Sequence, residues 1–484
     1  MNRRFRSAAT ALLALTTAAC LTFPANAATD TPPWPAESVV YCVFPRIFSS
    51  HGDFNGVTAQ LPRLKKLGVS VIWLMPVTTP GKSIPGHPTV DSSYCVHDYY
   101  SLNPSYGTEA DFQKLVSRAH KLGLKVILDE VLNHTSWDSP LITEHPEFYV
   151  HSDGDLKNPA TIKQAFNYTD VAQLNYASSG LHEYMIDMQK FWLTRYHVDG
   201  FRYDSASNPG GPGRMISADF WRETGRALRA LKPDVLLLGE SEDAELGMNP
   251  FTLDYGWWLH DALVDASKDG GDAANVQKVW QKQTDEFPAQ MKHLSLQDNW
   301  DTIRDVAAYG GTPDGALAAA AFNLTNTGVP LIYNGMEIGN AAGEVNPHAP
   351  IDWASGDSRF PAFYHQAIAL RRVNPAFTRG RMKWLSNSIP SQVVTYERLD
   401  GDAEFLVEIN LSSKPASGRV DAPDGAGWTR VPLGKSPAMA SVPAPSKISL
   451  GAKGFAIFRR RAAHGIGDMR SGKPNKERAR SEIK

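Results

Sequence analysis

From Ser38 onward, short apolar runs alternate with amphipathic stretches, and that alternation predicts an α/β chain with parallel strands. Val39–Phe44, Val69–Met75 and Leu124–Leu128 read as the first three strands, with Leu61–Leu67 ending one helix and Phe112–Leu122 forming the next. Residues 134 to about 180 turn polar and irregular, too long for a simple connection, and are expected to form an inserted subdomain. Helical periodicity resumes over Leu181–Tyr196. Three further runs each break on an acid: Val198 to Asp204, Val235 to Glu240, and His293 to Asp298. Helices are expected at Ala218–Leu231, Asp261–Phe287 and Phe360–Val373, with Ala316–Ala321 and Pro330–Tyr333 closing the repeat. Beyond Arg381 the pattern shifts to short alternating segments such as Gln392–Arg398, Glu404–Asn410 and Gly454–Arg459, separated by Gly, Pro and Ser. These predict a separate antiparallel β-sandwich over 381–461, followed by a charged tail, 462–484, with too few large apolar groups to fold.

The expected architecture is therefore a (β/α)8 TIM barrel over 28–380, carrying one insertion after its third strand, and a C-terminal sandwich. Acids at the C-terminal ends of several parallel strands converge on one pocket in such a barrel, although they lie far apart in sequence. Carboxylate chemistry on a small polar substrate follows from that convergence.

Composition changes little in this picture. The chain has 484 residues, 42% hydrophobic and 21% charged, with a formal net charge of −2, so no basic field favours nucleic acid. The N-terminus does matter. Arg3, Arg4 and Arg6 precede an apolar stretch from Ala8 to Leu21 and an Ala25-Asn26-Ala27 site, the form of a secretory signal peptide cut after Ala27. The stretch falls short of the ~20 residues that a membrane span needs. An exported, monomeric protein is expected, with Cys42 and Cys95 either paired or left as two buried thiols.

Asp129-Glu130-Val131-Leu132-Asn133-His134, Gly200-Phe201-Arg202-Tyr203-Asp204, Gly239-Glu240 and Gln297-Asp298 resemble, in order and spacing, the four signature regions of the α-amylase superfamily, glycoside hydrolase family 13. Tyr94 to Tyr99 and Ile332 to Gly339 resemble two further stretches of that family. The chemistry can also be read from the residues. A retaining glycosidase needs a carboxylate nucleophile and a carboxylic acid that protonates the leaving oxygen. Asp204 is the nucleophile candidate, and Arg202, two residues earlier on the same strand face, can hold it ionised. Glu240 ends an apolar run, where burial beside a second carboxylate would raise its pKa as a general acid requires. The resemblance implies that Asp298 binds the sugar hydroxyls, that Tyr94 stacks on the sugar, that His134 binds its 6-hydroxyl, and that Asp91 grips a terminal sugar in exo-acting members. It also implies that Asp129 supports the pocket.

Region four usually reads Asn-His-Asp, and Leu296-Gln297-Asp298 stands in its place, so a neutral Gln297 replaces a histidine that can carry charge. Region two continues as Ser205-Ala206-Ser207-Asn208-Pro209-Gly210-Gly211 rather than toward Lys-His. No cofactor is required by the chemistry. The resemblance implies a calcium site to which Asn133 and Asp170 are the candidate ligands, yet region five carries Gln173-Leu174-Asn175 where an acid is usual. The expected activity is hydrolysis of an α-glucan such as starch, maltodextrin or malto-oligosaccharide through a covalent glycosyl-Asp intermediate. An α-glucosidase or a transglycosylase would share that chemistry, and a carbohydrate-binding protein would share the fold. Bond preference and endo or exo action stay open at this level.

Overall fold

The computed structural model describes residues 34–84, 86–87, 92–207, 216–341, 349–401, 403–423, 427–434 and 446–461. The signal-peptide reading (1–27), Asp91 and the tail (462–484) lie outside the described residues. Eight parallel strands close on themselves, in chain order: β1 (Val40–Val43), β2 (Val71–Leu74), β3 (Lys125–Glu130), β4 (Gly200–Tyr203), β5 (Leu236–Gly239), β6 (Leu253–Asp254), β7 (Lys292–Ser295) and β8 (Val329–Tyr333). The ring is completed by β1 against β8, with Val40 opposite Leu331. Nearly every strand residue is buried, because helices cover the outer face while side chains fill the inside; continuous apolar runs are therefore what the sequence shows.

Local chemistry starts the helices where the strands hand over. Asp53, Thr108, Ser178 and Ser217 each cap a helix through a side-chain oxygen that accepts a backbone N–H, and Thr108 and Asp111 complete a reciprocal capping box. Gly200 opens β4 because a Cβ there would stand 2.0 Å from the Leu236 carbonyl oxygen of the neighbouring strand.

Three expectations are corrected. The sixth strand, Leu253–Asp254, is absent from the sequence reading; two residues carry too little periodicity to register, and pairing with β5 and β7 alone defines it. Asp261–Phe287 is two helices, Trp257–Ser267 and Ala274–Glu286, broken at Gly270-Gly271, where Gly270 takes φ 79°. Ala316–Ala321 is the middle of a helix, Pro313–Thr325, whose residues from Gly315 onward are all buried, which erases the amphipathic period.

The insertion after β3 leaves the barrel at Val131 and returns at the helix Ser179–Arg195, and is held by an antiparallel pair, His134–Ser136 with Val171–Gln173. A second excursion, after β2, pairs Thr78–Pro80 with Val96–Leu102 and brings Tyr94 over the barrel mouth. The C-terminal unit has a five-stranded antiparallel sheet between Arg381 and Arg461 and a two-stranded sheet, Ala416–Arg419 with Lys447–Leu450. A small core around Trp428, Leu406 and Ile448 lies between them. Cys42 and Cys95 are buried in different clusters and are not paired with each other. Among the described residues no helix is long and apolar enough to cross a membrane.

Candidate active site

The C-terminal ends of β3, β4 and β5 bring Asp129, Arg202, Asp204 and Glu240 together around one guanidinium. Arg202 Nη1 donates to Asp129 Oδ1 at 2.7 Å and to Asp204 Oδ1 at 3.1 Å, while Nη2 lies 2.8 Å from Glu240 Oε2. Arg202 is wholly buried, and Trp73, Tyr94, Tyr255 and Trp300 surround its guanidinium with ring centroids 5.1–5.9 Å away. This aromatic cage replaces the water that a buried cation loses. Backbone bonds set the strand ends: the Asp204 N–H donates to Glu130 O and the Glu240 N–H to Tyr203 O. Ser205 N then donates to Glu240 Oε2 at 2.9 Å.

The expected role of Arg202 changes in detail. One arginine is shared among three carboxylates, so it cannot hold each of them fully ionised. Burial raises the carboxyl of Asp204 and that of Glu240, with Arg202 opposing the rise in both. The two acids take one oxygen each to the two Nη atoms of the same guanidinium, which sets them side by side. Asp129 is pushed up to about 7, chiefly by burial, and its Oδ2 accepts from Tyr94 Oη at 2.9 Å and Trp73 Nε1 at 3.2 Å.

Above these acids opens a cavity of about 540 Å³, lined by Tyr94, His134, Asp170, Trp257, Trp300 and Asp301 among others, with Asp204 and Glu240 on its floor. The walls are aromatic with a few convergent polar groups, which suits a sugar. Tyr94 stacks against Trp300 at 5.7 Å. His134 is bound at both ring nitrogens, to Asn133 Nδ2 at 3.2 Å and Tyr94 O at 3.1 Å, and burial lowers its pKa to about 4, so it is a neutral imidazole.

Gln297 and Asp298 are not in this cavity, which corrects the sequence reading of region four. Gln297 Nε2 donates to Asp305 Oδ2 and to Ala316 O, behind the barrel wall. Asp298 is fully buried, accepts from Asp305 N at 2.8 Å and stands 3.2 Å from Arg304 Nε. Asp301 lines the cavity instead. Its carboxyl feels burial first and then the Glu240 charge, which together push it up to about 7; solvent at the cavity mouth reaches it and screens that shift. A signal for it was present: Asn299-Trp300-Asp301 keeps both ends of the Asn-His-Asp pattern, three residues further on, with Trp300 in the middle.

Sequence reasoning also missed Asp254, at the end of the two-residue β6. Its carboxylate accepts from Ser241 N at 3.0 Å, Ser241 Oγ at 2.8 Å and Glu242 N at 2.9 Å, and so pins the backbone that follows Glu240. Of the two candidate metal ligands, Asn133 has its side-chain oxygen engaged by Gln173, and Asp170 lies on the cavity wall, where its charge acts on His134.

A barrel whose strand ends carry this arginine-linked carboxylate cluster is that of a glycoside hydrolase. Residues 26–360 match the family model described as alpha amylase, catalytic domain, and the chain belongs to that family. It is 30% identical over 342 residues to Alpha-amylase 3 of Dictyoglomus thermophilum, covering 63% of this chain and 65% of that one, so it spans just under two thirds of that relative's length. To Neopullulanase 2 of Thermoactinomyces vulgaris it is 25% identical, over 82% of this chain and 73% of the other. Among solved structures, an alpha-amylase from Lactobacillus plantarum superposes with a TM-score of 0.74 at 27% identity, covering 88% of this chain and 99% of that one. The maltogenic alpha-amylase AmyB of Thermotoga neapolitana shares the fold, with a TM-score of 0.78 at 24% identity over 88% and 99%.

Proposed function

We propose that this protein is an exported hydrolase of α-glucans that retains the anomeric configuration. The observation that carries the mechanism is that Asp204 and Glu240, on neighbouring strand ends, each set one oxygen on the guanidinium of Arg202. Such closeness fits the ~5 Å carboxyl separation of retaining glycosidases rather than the ~6.5–9.5 Å that leaves room for a water in inverting ones. Glu240, kept protonated by burial, gives its proton to the glycosidic oxygen. Asp204 attacks the anomeric carbon, and the bond to the leaving sugar breaks as the glycosyl-Asp ester forms. Glu240, now a carboxylate, takes a proton from water, which attacks the same carbon and frees Asp204. Arg202 fixes both acids from one rigid fork. Asp301 supplies negative charge beside the oxocarbenium-like transition state, in the place that the family resemblance gave to Asp298.

An α-glucan is supported by family membership and by the relatives named as amylases and neopullulanase. A product time course on maltoheptaose and soluble starch tests the reading. Shorter maltodextrins released with retained configuration are expected. Products longer than the substrate would favour a transglycosylase, and no turnover of either glucan would remove the proposal. Export rests on Arg3-Arg4-Arg6, the apolar stretch and Ala25-Asn26-Ala27. Protein recovered from the periplasm or medium is expected to begin at Ala28, and an unprocessed chain confined to the cytoplasm would contradict it.

A further inference from the structure

The family resemblance implies a calcium site at Asn133, where β3 hands over to the inserted subdomain. The residues present do not fit the ion. Calcium takes six to eight oxygens, several of them from carboxylates. At this junction three neutral oxygens converge on a nitrogen. Gln173 Nε2 donates to Asn133 O at 3.0 Å, Asn133 Oδ1 at 3.2 Å and Leu174 O at 3.1 Å. The amide is buried, and its own oxygen has no hydrogen-bond partner among the described residues. The reverse orientation would set that oxygen against three others, so the contacts themselves fix which end is the donor. Asp170, the other candidate ligand, lies on the cavity wall, with its carbonyl accepting from the Cys95 thiol.

We propose that the Gln173 side-chain amide stands in the place of a divalent cation, fastening the returning strand of the insertion to the exit of β3, and that the fold is independent of calcium. The amide also reaches the active site. Because Asn133 Oδ1 accepts from Gln173, Asn133 Nδ2 is left to donate to His134 Nδ1, and His134 Nε2 then carries the proton donated to Tyr94 O. A neutral imidazole is thereby held in one tautomer at the cavity wall.

The test is thermal unfolding of the full chain in excess EDTA and in millimolar calcium, for wild type, Gln173→Glu and Gln173→Leu. It needs no activity measurement, so it is separable from the glucan reading. Wild type is expected to melt within about 1 °C in the two conditions. Gln173→Glu aims a carboxylate at three oxygens and is expected to melt several degrees below wild type in EDTA, recovering in calcium, which binds only the folded state. Gln173→Leu is expected to be lowered equally in both. Calcium that raises the wild-type midpoint by several degrees would overturn the proposal. So would Gln173→Glu matching wild type in EDTA or failing to recover in calcium, and so would Gln173→Leu as stable as wild type. Should Gln173→Glu not fold, the wild-type and Gln173→Leu arms still decide.

Discussion

Glu240→Gln is expected to lower kcat on maltoheptaose by about 10²- to 10⁴-fold, the usual contribution of a positioned general acid. The substitution keeps shape and an acceptor for the Ser205 N–H but removes the proton that the leaving oxygen needs. An aryl glycoside with a strongly acidic phenol as leaving group needs no such proton, so formation of the glycosyl-enzyme from it should survive. The pH profile supplies the sign. Burial raises the Glu240 carboxyl, Arg202 opposes the rise and Asp204 adds to it, so the catalytic proton is present at low pH and lost as pH climbs through the raised value. The alkaline limb of the wild-type rate should therefore vanish in the variant. Equal losses on the aryl glycoside and on maltoheptaose, with the alkaline limb intact, would assign Glu240 a structural role.

Asp301→Asn and Asp298→Asn are expected to separate catalysis from stability. Asp301 stands in the cavity beside Glu240 and Asp204 and holds no buried partner in place, so its loss should cost about 10²- to 10³-fold in kcat with little change in melting. Asp298 is sealed inside with Arg304 against it, and neutralising one member of such a buried pair costs about 3–5 kcal/mol. Asp298→Asn should melt well below wild type while the folded fraction keeps kcat within about tenfold. The opposite pattern, a silent Asp301 and a catalytically dead but stable Asp298 variant, would restore the first reading of region four. Steady-state kinetics and thermal melts on the same preparations decide between them.

Much of this site was legible before any coordinates. Arg202 and Asp204 share a strand face because side chains two apart do so, and Glu240 ends an apolar run whose shortness and bounds read as a buried strand. Asp254 was not legible, because nothing distinguishes a two-residue strand from a loop until its neighbours pair with it. The third acid misled for a related reason. Gln297-Asp298 and Asn299-Trp300-Asp301 each keep part of one pattern, and a strand that ends at Ser295 says nothing of which way the following turn bends. Arg304 and the Asp305 N–H settle it by drawing Asp298 inward, which leaves Asp301 to face the cavity.

By itself the chain determined its layers and offered the two acids proposed for proton transfer and attack, since these follow from local period and from residues fixed on single strands. Only the tertiary structure decided how those acids share one arginine, which aspartate completes them, and that an amide rather than a carboxylate meets Asn133. Each of these depends on distances between segments far apart in sequence, and on the burial that sets protonation, neither of which a local pattern encodes.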